Sequence, residues 1–150
     1  MNAVDLKSFL MELTQKDSLQ PTPDKTFCNI AAREIANKFD CHEFDNEALL
    51  ADDMINIMRE NVSGNWLMCD GYNATKFSMD GCLVFAGKTG KELEASHGHI
   101  AAVVPLPMAY SGSLNKSVPQ IANVGRRNGI MKVTEAFPVA KGEPNYFKYK

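Results

Sequence analysis

Gly98-His99-Ile100-Ala101-Ala102-Val103-Val104 is, after its histidine, a run of small and β-branched apolar residues closed by Pro105 and Pro107. The run is too short for a helix, and prolines cannot donate to a sheet ladder, so it predicts a buried strand over 99–104. Upstream, Asp80-Gly81 is a turn signal and Cys82-Leu83-Val84-Phe85-Ala86 is a second apolar run, which predicts a partner strand. Residues 87–98 between them are polar and read as a loop, as does the Ser/Gly/Asn-rich stretch 110–119. Residues 66–69 read as a brief strand, 73–79 as a short helix or turn, and 120–124, 131–136 and 146–149 as the last strands.

The first sixty residues have a different period. Leu6, Phe9, Leu10 and Leu13 fall at i, i+3, i+4 and i+7, which predicts an amphipathic helix over 3–15. Pro21 and Pro23 impose an extended loop after it. Ala32, Ile35, Ala36 and Phe39 form the stripe of a second helix over about 26–39, with Asp24 or Thr26 as its cap. A third helix is expected after Asp45-Asn46, running to about Glu60 with Leu50, Met54, Ile57 and Met58 inward. Helices first and strands second predict an α+β fold, and 150 residues suit one domain over 1–150.

Composition excludes several classes. The chain is 45% hydrophobic and 23% charged, unlike a disordered tail, a collagen rod or a coiled coil. Sixteen basic residues against eighteen acidic ones supply no strongly basic face, so no nucleic-acid partner is expected. The longest apolar stretch, Ile100 to Pro107, falls far below the ~20 residues of a membrane span. Asp5 and Lys7 interrupt the N-terminus, so no Sec-type signal peptide is expected. The chain is expected to be made in the cytoplasm and, if it leaves, to leave by another route. Nothing in it suggests more than a monomer.

Four cysteines (Cys28, Cys41, Cys69, Cys82) are too few for a disulfide scaffold and include no CxxC pair. Cys41-His42 finds no second close-spaced pair, so no metal and no cofactor are expected. Cys28 stands at the first turn of the second helix. The positive end of the helix dipole and Lys25 would favour thiolate there. Nucleophilic cysteine chemistry also needs an imidazole to move a proton and a polar group to orient it. His99 at a strand start supplies the first, and Asn123 or Gln120 the second. Those two are three positions apart and face opposite ways, so only one can meet the ring; Asn123 lies in the strand body and is favoured. His97 reads as a loop residue, Trp66 as core, and Arg126-Arg127 as a solvated turn or a carboxylate contact.

Thr26-Phe27-Cys28-Asn29 opening a helix, Asp80-Gly81-Cys82-Leu83-Val84-Phe85-Ala86-Gly87, and Gly98-His99-Ile100-Ala101-Ala102-Val103-Val104 together resemble the NlpC/P60 and CHAP branch of papain-like cysteine peptidases. The likeness covers roughly residues 20–125. Phe27-Cys28-Asn29-Ile30 stands where that family usually has Asp-Cys-Ser-Gly, and Asp80-Gly81 where many relatives have Gly-Asp. In build the chain most resembles peptidoglycan amidase effectors delivered by type VI secretion, with phage-type lysins close behind. The resemblance implies a papain-like fold of N-terminal helices on a small antiparallel sheet. It also implies Cys28 as nucleophile, His99 as proton carrier, Asn123 as orienting residue, and a peptidoglycan stem amide as substrate. For a secreted toxin it implies a cognate immunity protein as partner. The rival expectations are a deamidase- or transglutaminase-like toxin of the same architecture, and a non-catalytic module that binds cell wall.

Overall fold

The computed structural model describes all 150 residues. Three helices open the chain, α1 (Ala3–Thr14), α2 (Cys28–Lys38) and α3 (Ala51–Glu60). They are followed by β1 (Trp66–Cys69), α4 (Gly71–Met79), β2 (Val84–Lys88), a single turn α5 (Gly90–Leu93) and β3 (His99–Val103). The chain then forms β4 (Ala109–Ser111), β5 (Lys116–Val118), β6 (Gln120–Asn123), β7 (Gly129–Lys132), α6 (Val133–Ala136) and β8 (Asn145–Tyr149). The fold is α+β. No helix is long and apolar enough to cross a membrane.

Six strands make one sheet in the order β1-β8-β2-β3-β6-β7, and every pairing is antiparallel. The last strand inserts between β1 and β2, so the C-terminus closes the sheet from within. β3 lies near the centre and is buried on both faces, as its unbroken apolar run requires. Ile100, Ala102 and Val104 face a core of 24 residues shared with α1, α2 and α3. Ala101 and Val103 face a core of 11 residues that includes Ala74, Val133 and Phe137. Trp66 belongs to the larger core, stacked on Phe44 at 5.8 Å with its indole N–H donating to Glu43.

The elements depart from the sequence expectations at identifiable places. The second helix begins at Cys28 rather than near Thr26, and neither Asp24 nor Thr26 caps it. Thr22 and Lys25 instead pair in an isolated antiparallel bridge that carries Asp24 in its turn. The third helix begins at Ala51, because Asn46 turns the chain first: its side-chain oxygen accepts from Ala48 N–H at 2.9 Å. Asp53 then accepts from Leu50 N–H at 2.8 Å and starts the helix. The loop expected over 110–119 holds the β4–β5 hairpin. The strand expected over 131–136 ends at Lys132, where the Glu135 carboxylate accepts from Lys132 N–H and turns the chain into α6. The loop expected over 87–98 surrenders its first two residues to β2 and forms α5, whose start is a Thr89–Glu92 capping box.

Candidate active site

Cys28 is the first residue of α2, and no side chain caps that end of the helix. The first free backbone N–H groups of α2 are therefore left without a side-chain acceptor. Asn29 ties the same turn to the chain ahead of α3 by donating to Leu49 O at 3.2 Å. The Cys28 side chain is 8% exposed and belongs to the larger core. Burial pushes its thiol up from the ordinary value; the backbone N–H groups of Ile100, Asn29 and Cys28 itself act the other way and are outweighed. Burial thus works against the thiolate expected at the helix tip.

His99 begins β3, beside Lys88 of β2. Its Nε2 lies 2.6 Å from Asn123 Oδ1. The Asn123 amide is oriented by its other end, since Nδ2 donates to Arg127 O at 2.8 Å. Its Oδ1 must then accept, which makes Nε2 the protonated ring nitrogen and leaves the Nδ1 lone pair free. No hydrogen bond within the chain occupies Nδ1. The ring is held on its other sides by Phe137, with centroids 5.0 Å apart, and by the bare backbone of Gly125. A Cβ at Gly125 would stand 3.1 Å from His99 Cε1, so any larger residue would crowd the ring. Burial lowers the His99 pKa below the ordinary imidazole value, and the Asn123 bond offsets this only in part. The imidazole is neutral at neutral pH.

Gln120, the other candidate for orienting His99, donates instead to Pro107 O at 2.9 Å and does not reach the ring. Phe137 and Gly125 were not legible as site residues in the sequence. A glycine two residues beyond Asn123 was the one available signal.

Two cavities adjoin at this end of the sheet. One, of about 320 Å³, is lined by Cys28, Asn29 and Leu50 among others. The second, of about 340 Å³, is lined by His99, Asn123 and Gly125. Thr26, Ser96, His97, Gly98 and Arg126 line both. Cys28 packs with the α1–α3 core and His99 stacks on Phe137, and the cavities they line adjoin along those five shared residues. What links them is the strand itself, because the N–H facing the sulfur belongs to Ile100, the next residue after His99. His97 is exposed in the loop before β3, as its sequence suggested.

The remaining cysteines lie elsewhere. Cys41 is fully buried, and Cys69 and Cys82 are half-buried and unpaired. His42 sits on the surface between Asp40 at 2.8 Å and Asp45 at 3.0 Å. No group of three or more ligating side chains is placed to hold a metal ion.

No protein-family model matches the chain, and no curated protein is detectably similar to it.

Proposed function

We propose that the protein is a papain-like cysteine amidase of NlpC/P60 type that hydrolyses an amide bond in the peptide stems or cross-links of bacterial peptidoglycan. The observation that carries this reading is His99, with Nε2–H committed to Asn123 and Nδ1 free, lining a cavity that shares Thr26, Ser96, His97, Gly98 and Arg126 with the cavity of Cys28. A buried thiol whose pKa is raised and a half-buried imidazole whose pKa is lowered call for proton transfer during attack, not for a standing ion pair. In the first step Cys28 Sγ bonds to the scissile carbonyl carbon as its proton passes to His99 Nδ1. The carbonyl oxygen takes up negative charge at the uncapped start of α2, where the Cys28 N–H can donate to it. The C–N bond then breaks and His99 returns the proton to the leaving amine. Water, deprotonated by His99, attacks the thioester and releases a carboxylic acid and the free thiol. The reading requires ring and sulfur to meet where the two cavities join, at Thr26 and Gly98; catalytic hydrogen bonds are commonly loose before substrate binds.

A substrate in bacterial cell wall places the enzyme's work outside the cytoplasm, reached by a non-Sec route such as type VI secretion or phage lysis. A cognate immunity protein covering the cleft goes with the first of these. These assignments rest on the resemblance alone.

Muropeptide mass spectrometry after incubation with purified peptidoglycan tests the activity. The expected result is a product pair split at a stem amide, lost in Cys28→Ala. Intact muropeptides would turn the reading toward a deamidase-like acyl transferase on another substrate. The burial of Cys28 favours a second reading, a non-catalytic module that binds cell wall. That reading predicts unchanged behaviour of Cys28→Ala.

A further inference from the structure

Arg126 is the one charged side chain that lines both cavities. It stands at the apex of the β6–β7 turn, which side chains pin at three points. Asn123 Nδ2 donates to Arg127 O at 2.8 Å, Gly125 N–H donates to Asn128 Oδ1 at 2.9 Å, and Asn128 Nδ2 donates to Leu19 O at 2.8 Å. The same asparagine that orients His99 therefore also fixes the backbone that carries Arg126. The charges around it are otherwise engaged. Arg127 pairs with Glu135 at 3.4 Å, Glu135 also accepts from Lys132 N–H, and Lys25 lies over the Phe27 ring at 5.3 Å. Arg126 makes no ion pair and no hydrogen bond within the chain, and Asp24 is the one acidic side chain lining the cavity of Cys28. A guanidinium left open between the sulfur's cavity and the ring's cavity has the donor geometry for a carboxylate.

We propose that Arg126 is a specificity-determining carboxylate subsite, selecting acidic peptides that carry a free carboxylate beside the scissile amide. The identity of the peptide rests on the amidase reading; the anion preference rests on Arg126. A bound carboxylate there would hold the peptide across the junction of the two cavities. An amidated peptide of the same shape would lose that contact and leave the guanidinium unpaired.

The test uses a synthetic peptidoglycan stem peptide with its side-chain and terminal carboxylates free, and the same peptide fully amidated. Isothermal titration calorimetry on Cys28→Ala, which cannot turn over, should give about tenfold or greater preference for the free acid. In Cys28→Ala/Arg126→Ala the preference should fall to within about twofold. Equal affinities with Arg126 present, a preference that survives its removal, or no binding of either peptide would each overturn the subsite. Cleavage of the free-acid peptide by the unsubstituted protein is scored separately. Arg126-dependent preference without cleavage would sink the amidase reading and leave the subsite. Cleavage without preference would do the reverse. Circular dichroism of the Arg126→Ala variants checks that the exposed substitution leaves the fold intact.

Discussion

At His99 the question is which ring nitrogen carries the proton. The Asn123 amide answers it through a bond at its far end, to Arg127 O, that has nothing to do with the ring. Nitrogen-15 NMR of the imidazole should report the Nε2–H tautomer near neutral pH; an Nδ1–H tautomer would put the lone pair on Nε2, against Asn123, and leave none on Nδ1 for the thiol proton. His99→Ala should lower kcat/KM by ~10²–10⁴-fold, the usual worth of a positioned general base. Because burial lowers the His99 pKa, the acid limb of kcat/KM should lie below the ~6.5 of a free imidazole. A midpoint at or above that value would place another group in control. Iodoacetamide should label Cys28 with a midpoint above that of an ordinary thiol, in keeping with its desolvation. Strand parity left only one of Asn123 and Gln120 able to meet His99, and the place of Asn123 in the strand body favoured it. The desolvation of Cys28 was not readable, because sequence shows a helix start but not how deeply its first residue is buried.

Among the elements, the approach to β3 is the most tightly built. Asp52 of α3 accepts from Gly90 N–H at 2.9 Å, Arg59 of α3 pairs with Glu92 at 2.7 Å, and Lys141 pairs with Glu94. These contacts hold the turn that delivers Gly98 and His99 to the sheet. A Cβ at Gly98 would overlap Asp52 Oδ1 and stand 2.9 Å from Lys88 O. Gly98→Ala should therefore destabilise the fold by about 1–3 kcal/mol, read from the denaturant midpoint, and Asp52→Ala should recover part of the loss. A neutral Gly98→Ala would mean that the turn yields freely. The strong periods in the sequence found α1, α2 and the central strands to within a few residues, since buried stripes impose spacing. What they missed was set by single polar side chains: Asn46 delaying α3, Glu135 ending β7, and Thr89 starting α5. Each of these acts through one local hydrogen bond, which leaves no period to read.

Over the whole molecule, one sheet separates two cores, and the candidate site sits where the start of β3 touches both. The strands between them are common to the two cores, so neither should unfold alone. Unfolding followed by fluorescence of Trp66, the only tryptophan, should coincide with far-UV circular dichroism. Separate transitions would divide the two cores. Stability should also depend on pH through His99. Its folded pKa lies below its unfolded value, so the unfolded chain binds the proton first as pH falls. The contribution is complete above about pH 6.5 and is lost as pH drops toward and through the folded pKa. His99→Gln should flatten that slope in thermal melts taken across the same range. The α+β class followed from the order of helical and strand periods, whereas the sheet order did not: nothing local tells the last strand to insert between β1 and β2.

The chemistry stands on Cys28 forming a bond to substrate, and acid-quenched intact-mass spectrometry in the first turnover reads that bond. On mixing with the stem peptide, the protein should gain the mass of the acyl fragment, mapped by peptide digestion to Cys28. In a His99→Ala variant acylated with an activated ester, the adduct should persist longer. An unmodified Cys28 while peptide is being cleaved, or equal cleavage by Cys28→Ala, would contradict the account.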